Sequence, residues 1–274
     1  MWRTLLARRA WQSMLRLPMD PFLESRRKFL LHSCELAAWY GVLQVGFQHR
    51  AWAGTVSRRV ERWSRELARL AAEVRGGRLV PQAWQHAIEH LHSAMEISEL
   101  IKALDVDQVL RTIKYPKEKL GAIQDIHLPS LQPKDTEGFG CKLFVYRKGS
   151  CTPPHAHNHL VSAHLILRGQ IRTRKFNRLE DAQQSIVIEP TVDGVFGPGH
   201  TDSMSDDENN VHWFEGVSDI AVTFDIPVWD ISPGKKYGYP ANGQIFIDPT
   251  VPPRGDGRIV APVISFPTAV RKFA

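Results

Sequence analysis

Cysteine is scarce. The 274-residue chain has three, Cys34, Cys141 and Cys151, and none stands in a C-x-x-C spacing. That excludes a zinc ribbon or a thioredoxin-like redox pair as readings of the sequence. Cys141 and Cys151 are left either as a disulfide in an oxidising compartment or as two separate thiols. A strong charge of one sign is also missing: the formal net charge is +6, and much of the excess falls early, at Arg3, Arg8, Arg9, Arg26, Arg27, Lys28, Arg58 and Arg59. No basic stripe interleaved with aromatics follows, so no nucleic-acid partner is expected. Long apolar runs are absent too. The stretch from Phe29 to Phe47 is mildly apolar and carries Glu35, a poor membrane span, so stable membrane insertion is not expected. No internal repeat is visible. What remains is an ordinary globular composition, with 23% charged residues arguing against global disorder and a length that buries a core as one large domain with or without appendages.

The first segment reads in two ways. "ESRRKFLLHSCELAAWYGVLQVGFQHRAWAG" (24–54) resembles a twin-arginine export signal: Ser25-Arg26-Arg27-Lys28-Phe29-Leu30 matches S-R-R-x-F-L, and Ala51-Trp52-Ala53 fits an A-x-A cleavage site before Gly54. Export by that route implies a periplasmic protein. The other reading is an Arg-rich amphipathic helix packed on the rest of a cytoplasmic protein, which Glu35 and the leader before the motif favour. Residues 1–53 are therefore a possible signal or an N-terminal helix.

Residues 54–117 read as a helical segment. Val56, Val60, Trp63, Leu67, Leu70 and Val74 recur at steps of three and four and share one helical face. Gly76-Gly77 stops that helix, and Pro81 suits the first turn of the next, whose stripe is Trp84, Ile88, Leu91 and Met95. Asp105 caps a shorter helix carrying Val106, Val109, Leu110 and Ile113, ended by Pro116. His86 and His90 stand four apart, a spacing that can share a metal, but both lie off the stripe and read as a solvated face. From about 118 to 235 the texture changes to short runs such as "CKLFVYR", "QSIVIEP" and "DIAVTFDIPV", punctuated by Lys148-Gly149-Ser150, Arg168-Gly169 and Asn209-Asn210. Evenly spaced short strands of this kind indicate an all-β sandwich or barrel. Residues 236–274 carry many Pro and Gly and read as a tail wrapping the barrel.

One stretch carries chemistry. "PPHAHNHLVSAHLILRG" (153–169) places His155 and His157 two apart, so that in a strand both imidazoles aim at one point. Pro153-Pro154 restricts the backbone before them and suits a strand entry. A third histidine, His212, sits in the β-like run "NNVHWFEG". Two ligands from one strand and one from a distant strand build a facial metal site economically.

These residues resemble the cupin motifs. Gly149, His155-x-His157 and Gly169 match the first motif, and "GPGHTDSMSDDENNVHWFEG" (197–216) resembles the second, with His212 as its histidine. The resemblance covers about residues 120–235 and implies a double-stranded β-helix barrel, mainly β, with an α-helical N-terminal extension and the metal inside. Where the first motif carries glutamate this chain has Val161, Ser162 and Ala163, which leaves three neutral histidines. An uncompensated dipositive ion favours an anionic substrate atom, and a thiolate is apt because metal charge depresses a thiol's pKa. Three-histidine cupins resemble the thiol dioxygenases (cysteine dioxygenase, 2-aminoethanethiol dioxygenase, plant cysteine oxidase), in which ferrous iron handles a thiol and O2 and both oxygen atoms end on sulfur. That resemblance implies Fe(II) held by His155, His157 and His212, a small-molecule thiol and O2 as partners, and Asp225, in "AVTFDI", as the strand aspartate. Asp225 either orients a ligand imidazole by accepting its second N–H or bonds to backbone. No cysteine–tyrosine crosslink is expected, with Ser162 and Pro227 near those positions, and Arg147 and Arg168 are carboxylate-binding candidates by proximity alone.

Other residues stay open. His164 is a proton donor beside the site, a fourth ligand, or a histidine on the barrel's other face. His159 and His200 read as loop. Trp213 and Phe214 pack the wall, one inside and one outside, and Tyr237 and Tyr239 lie in a tail the sequence does not place. The expected activity is that of a non-haem iron dioxygenase; the alternative is a non-catalytic cupin that binds a metal or small molecule as a sensor or store.

Overall fold

The computed structural model describes residues 57–274 apart from 129, 233 and 240–242. The segment expected as a signal or N-terminal helix lies outside the described residues. Among the described residues four helices come first: α1 (Arg58–Arg75), α2 (Pro81–Ser93), α3 (Ile97–Ala103) and α4 (Val106–Thr112). The stripe of α1 is buried at Val60, Trp63, Leu67, Leu70 and Val74, with Ser57 capping its N-terminus by accepting from Val60 N. In α2, Pro81 occupies the first turn and Trp84 and Ile88 are buried, whereas His86 and His90 are exposed. Asp105 adopts a left-handed conformation and caps α4 by accepting from Gln108 N. Among the described residues no helix is long and apolar enough to cross a membrane.

Twelve strands follow: β1 (Ala122–Asp125), β2 (Lys142–Arg147), β3 (Cys151–Ala156), β4 (Leu160–Arg168), β5 (Ile171–Asp181), β6 (Ser185–Phe196), β7 (Thr201–Met204), β8 (Val211–Gly216), β9 (Ile220–Asp225), β10 (Val228–Trp229), β11 (Ile245–Phe246) and β12 (Ile259–Pro262), then a terminal helix α5 (Phe266–Phe273). They form two antiparallel sheets. One runs β1-β2-β9-β4-β10 with β7 also on β4; the other runs β11-β3-β8-β5-β6-β12. The two sheets face each other, because the His164 ring on β4 lies 4.6 Å from Phe214 on β8, centroid to centroid. The result is the mainly β cupin-type barrel with helices on its N-terminal side that the sequence led us to expect.

Period-two alternation sets what faces where. On β4, Val161, Ala163, Leu165 and Leu167 turn outward and join the α1–α4 stripes, with Leu143, Val145, Val222 and Phe224, in one apolar core. Ser162, His164 and Ile166 turn inward. A smaller cluster of Tyr146, Ile166, Ile171, Met204, Phe214 and Ala221 fills part of the barrel interior. Cys141 and Cys151 are both buried free thiols, so the two-thiol reading holds. Burial pushes the Cys151 thiol up to about 12, and its Sγ donates to the Phe273 carbonyl at 3.2 Å. The tail is more ordered than its composition suggests: β11 and β12 edge the second sheet, and α5 starts at a Ser265 cap with proline in its first turn.

Candidate metal centre

The proline pair fixes the histidine phase. On β3, Thr152 stands opposite Phe214 of β8 and His155 stands opposite His212, so two residues, Pro153 and Pro154, face one, Trp213. That extra residue is a bulge, a position where proline's missing N–H costs no ladder bond. Without it Pro154 would point inward; with it His155 does. His157, one residue past the strand, is in the same phase, and Ala156 turns the other way into a cluster with Val211, Ile186 and Ile245.

Three imidazoles converge here. Ring centroids are 4.6 Å apart for His155 and His157, 4.2 Å for His155 and His212, and 5.3 Å for His157 and His212. One nitrogen from each lies within 4.8 Å of the others, a group able to hold a metal ion. His155 and His212 are buried and His157 is half-buried. Desolvation lowers all three pKa values, His155 to about 4, with the charge of His164 adding to the effect and the Pro153 carbonyl opposing it. His157 and His212 are pushed well below the ordinary value, again by burial first and then by their histidine neighbours. The imidazoles are therefore neutral near pH 7, the form that binds metal.

The donor set passes a direct test of fit. His155 Nδ1–H donates to the Pro153 carbonyl at 2.8 Å, which fixes the tautomer and turns the Nε2 lone pair toward its partners. His212 Nδ1 is buried with no hydrogen-bond partner of good geometry, although the nearby Asn210 backbone slightly favours its charged form. Buried ring nitrogens without partners are costly unless something else satisfies them. A divalent ion, with nitrogen ligands at about 2.1 Å, would take one lone pair from each of the three converging rings. Three imidazoles without a carboxylate suit Fe, Zn, Cu or Ni, and geometry alone does not choose among them.

Asp225 is not a member of this cluster. Its Oδ1 accepts a short hydrogen bond from Ser162 Oγ and lies 3.4 Å from His164 Nε2. Ser162, one of the three residues at the place of the missing glutamate, thus holds a carboxylate from β9. Of the two roles expected of Asp225, orienting a ligand imidazole or bonding to backbone, neither is what these contacts show: they tie it to Ser162 and His164. His164 Nδ1 is 3.3 Å from Thr223 Oγ1, and its ring centroid lies 6.3 Å from that of His212. His164 therefore faces inward, beside the centre rather than on the barrel's other face.

Arg147 and Arg168 both point away from the interior. Arg147 stacks on Tyr115 at 3.7 Å, and Arg168 pairs with Asp107 of α4 at 2.9 Å. The buried cations lie elsewhere, and the sequence reading missed them. Lys175, opposite His212 in the β5–β8 register, pairs with Asp202 at 3.3 Å. Burial opposes ionisation of Asp202, but hydrogen bonds from His200 and Thr173 and the Lys175 charge outweigh it and hold its pKa down. Arg178 bonds Asp181 twice, at 2.7 and 2.6 Å, and also donates to the His157 carbonyl and Asn158 Oδ1, which clamps the histidine loop.

The remaining aromatic and histidine positions fall into place. His159 sits in a loop with φ +54° and donates to the Ser232 carbonyl at 3.0 Å. His200 stacks on Phe196 with its Nε2 toward Asp202. Phe214 packs inside, and Trp213 lies outside against Phe273 and Arg174. Tyr239 donates to the Ala182 carbonyl, away from the imidazoles, and burial raises the Tyr237 hydroxyl. The tail sends Gln244 to the centre instead.

No protein-family model matches the chain, and no curated protein sequence matches it. Among solved structures it is similar to procruciferin, an 11S globulin from Brassica napus (13% identity, TM-score 0.34, covering 44% of this chain and 28% of that one). It is also similar to a recombinant oxalate oxidase in complex with glycolate (14%, 0.34, 50% and 60%). A third is the Cnp3 cupin domain of Schizosaccharomyces pombe (10%, 0.31, 44% and 72%). The chain spans less than two thirds of the length of the first two. The facing sheets and the inward histidines of β3 and β8 define, on their own topology, a cupin-type barrel with a three-histidine cluster able to hold a metal.

Proposed function

We propose that the protein is a non-haem Fe(II) dioxygenase that oxidises a small thiol to a sulfinate. The balance is R–SH plus O2 to R–SO2⁻ plus H⁺, with sulfur supplying the electrons and no other reductant needed. The observation that carries the reading is a centre of three neutral, mostly buried imidazoles with no carboxylate among them. Bound iron would supply Lewis acidity for the thiolate and redox chemistry for O2. The chain's own residues do the rest. His155, His157 and His212 would hold the ion and leave its charge uncompensated, which favours an anionic ligand. Ser162, His164 and Asp225 form a connected polar set beside it, and in this reading that set takes the thiol's proton. Phe144 and Phe214 flank His164 at 5.2 and 4.6 Å and exclude water from that side. The partners are then a small thiol and O2, with no nucleic acid and no membrane insertion. A periplasmic site is proposed if the twin-arginine-like segment acts as a signal, and a cytoplasmic one otherwise.

The test is anaerobic purification of the full chain, elemental analysis, and O2 uptake against a panel of small thiols. Stoichiometric iron with thiol-dependent uptake supports the proposal. Zinc or nickel without uptake contradicts it and supports a non-catalytic metal-binding cupin.

A further inference from the structure

We propose that Gln244 is a fourth, neutral ligand of the centre, donated by the C-terminal tail through its side-chain oxygen. The proposal rests on the reading that the three histidines hold a metal. Strand β11 pairs antiparallel with β3, with Phe246 opposite His155 and Ile245 opposite Ala156. Opposite residues of an antiparallel pair project from the same face. One step further, Gln244 falls beside His157, on the imidazole face. The side chain goes where that register sends it: its amide lies 3.0 Å from His155 Nε2.

That nitrogen is the one the Pro153 carbonyl leaves as a lone pair, since Nδ1 carries the proton. The Gln244 NH2 donates to it. Two ligands at right angles on an ion with bonds of about 2.1 Å stand about 3 Å apart. The amide end is thus already at the spacing of a neighbouring ligand. An ion on the His155 lone pair displaces the amide end off that axis, and a half-turn about the last side-chain torsion then presents oxygen in place of nitrogen, the two ends having nearly the same shape. In the metal-free chain the amide satisfies the His155 lone pair, and with an ion present its oxygen takes a bond instead. The barrel lacks glutamate at 161–163, and this neutral oxygen from the other edge supplies a fourth ligand without cancelling the ion's charge.

Anchors hold the tail at this position. Asn158 donates to the Tyr239 carbonyl at 3.0 Å, Gly238 N donates to Asp181, and Ile247 N donates to the Pro154 carbonyl at 3.1 Å. The segments on either side of Gln244 are thereby tied to the histidine loop, to the Arg178 clamp and to the proline bulge.

The test is anaerobic titration of the metal-free full chain with Co(II), read by competition with a chelating dye and by the visible d–d bands. Gln244→Met, similar in length but without an oxygen donor, is expected to bind Co(II) at least tenfold more weakly and with altered bands. Gln244→Glu, which keeps an oxygen and adds charge, is expected to bind more tightly than the wild type; weaker binding by it overturns the proposal. Wild-type affinity and bands in Gln244→Met overturn it too. Weaker binding with unchanged bands does so as well, because Gln244 would then act only through the His155 position. If the wild type binds no Co(II), the three-histidine reading fails with it; if binding is lost in His155→Ala but untouched in Gln244→Met, only the fourth ligand fails.

Discussion

His92 ties the helices to the barrel, and acid should loosen that tie. It lies in the last turn of α2, with its ring 5.9 Å from Trp63 of α1 and 6.3 Å from Phe224 of β9, centroid to centroid. Nδ1 meets Thr201 Oγ1 at 3.2 Å, while Nε2 is buried with no partner. Burial alone lowers its pKa from 6.5 to about 3. Between those values the unfolded chain holds a proton that the folded chain refuses, so stability is full above the unfolded value and falls with pH toward the folded one. At pH 5 the unfolded imidazole is almost fully protonated and the folded one is not. The loss from pH 7 to pH 5 is then roughly 2 kcal/mol for this one group. Urea unfolding of the metal-free protein at both pH values measures it. His92→Phe keeps the ring packing and removes the titration. The variant should lose about 2 kcal/mol less than the wild type over the same step, with the histidines of the centre contributing equally to both proteins. An identical pH response in the two would refute the claim that this histidine is held neutral by the packing of helix on sheet.

Other outcomes follow from the same structure. Arg178→Ala takes one donor each from the His157 carbonyl and Asn158 Oδ1 and the paired charge from Asp181 and should cost about 3 kcal/mol in urea unfolding, along with weaker metal binding. Gly169→Ala should cost about 2 kcal/mol or more in thermal unfolding, because φ is +72° and a Cβ would stand 2.3 Å from the Ile220 carbonyl oxygen. Gly149→Ala has a similar φ of +73° but open space around it, and should cost only about 1 kcal/mol. Asp225→Asn should keep full metal content, lower thiol-dependent O2 uptake at least tenfold and shift its pH profile, as a positioning residue for Ser162 and His164 does; loss of metal instead would make it a ligand.

The helices, the short strands and the His155–His157 pair were legible in the sequence because each is a short-range pattern, whereas the barrel and the place of His212 came from the resemblance to the cupin motifs. The stripes of α1 and α2 recur every three or four residues, and the His155–His157 pair needs only the strand period. What the sequence did not show depends on pairings between distant segments. Gln244 stands 89 positions from His155 and reaches it only through the register of β11 on β3. Lys175 meets Asp202 across strands, and nothing near either residue marks it as buried. Arg147 and Arg168 looked suitable by proximity, but their strands end on the helix-facing side, where Tyr115 and Asp107 take them. Helix α5 escaped notice because its eight residues bury only Ala269, too little to print a period. The role of the proline pair was half visible: restriction was plain, whereas the bulge needs the partner strand.

The central claim is that His155, His157 and His212 together hold a catalytic iron. The most direct measurement is elemental analysis and thiol-dependent O2 uptake of the anaerobically purified full chain beside His212→Ala. The account predicts one iron per chain with uptake in the wild type, and loss of both in the variant. Iron retained in His212→Ala, or a wild type that holds no redox metal and consumes no O2 with any thiol, would contradict it.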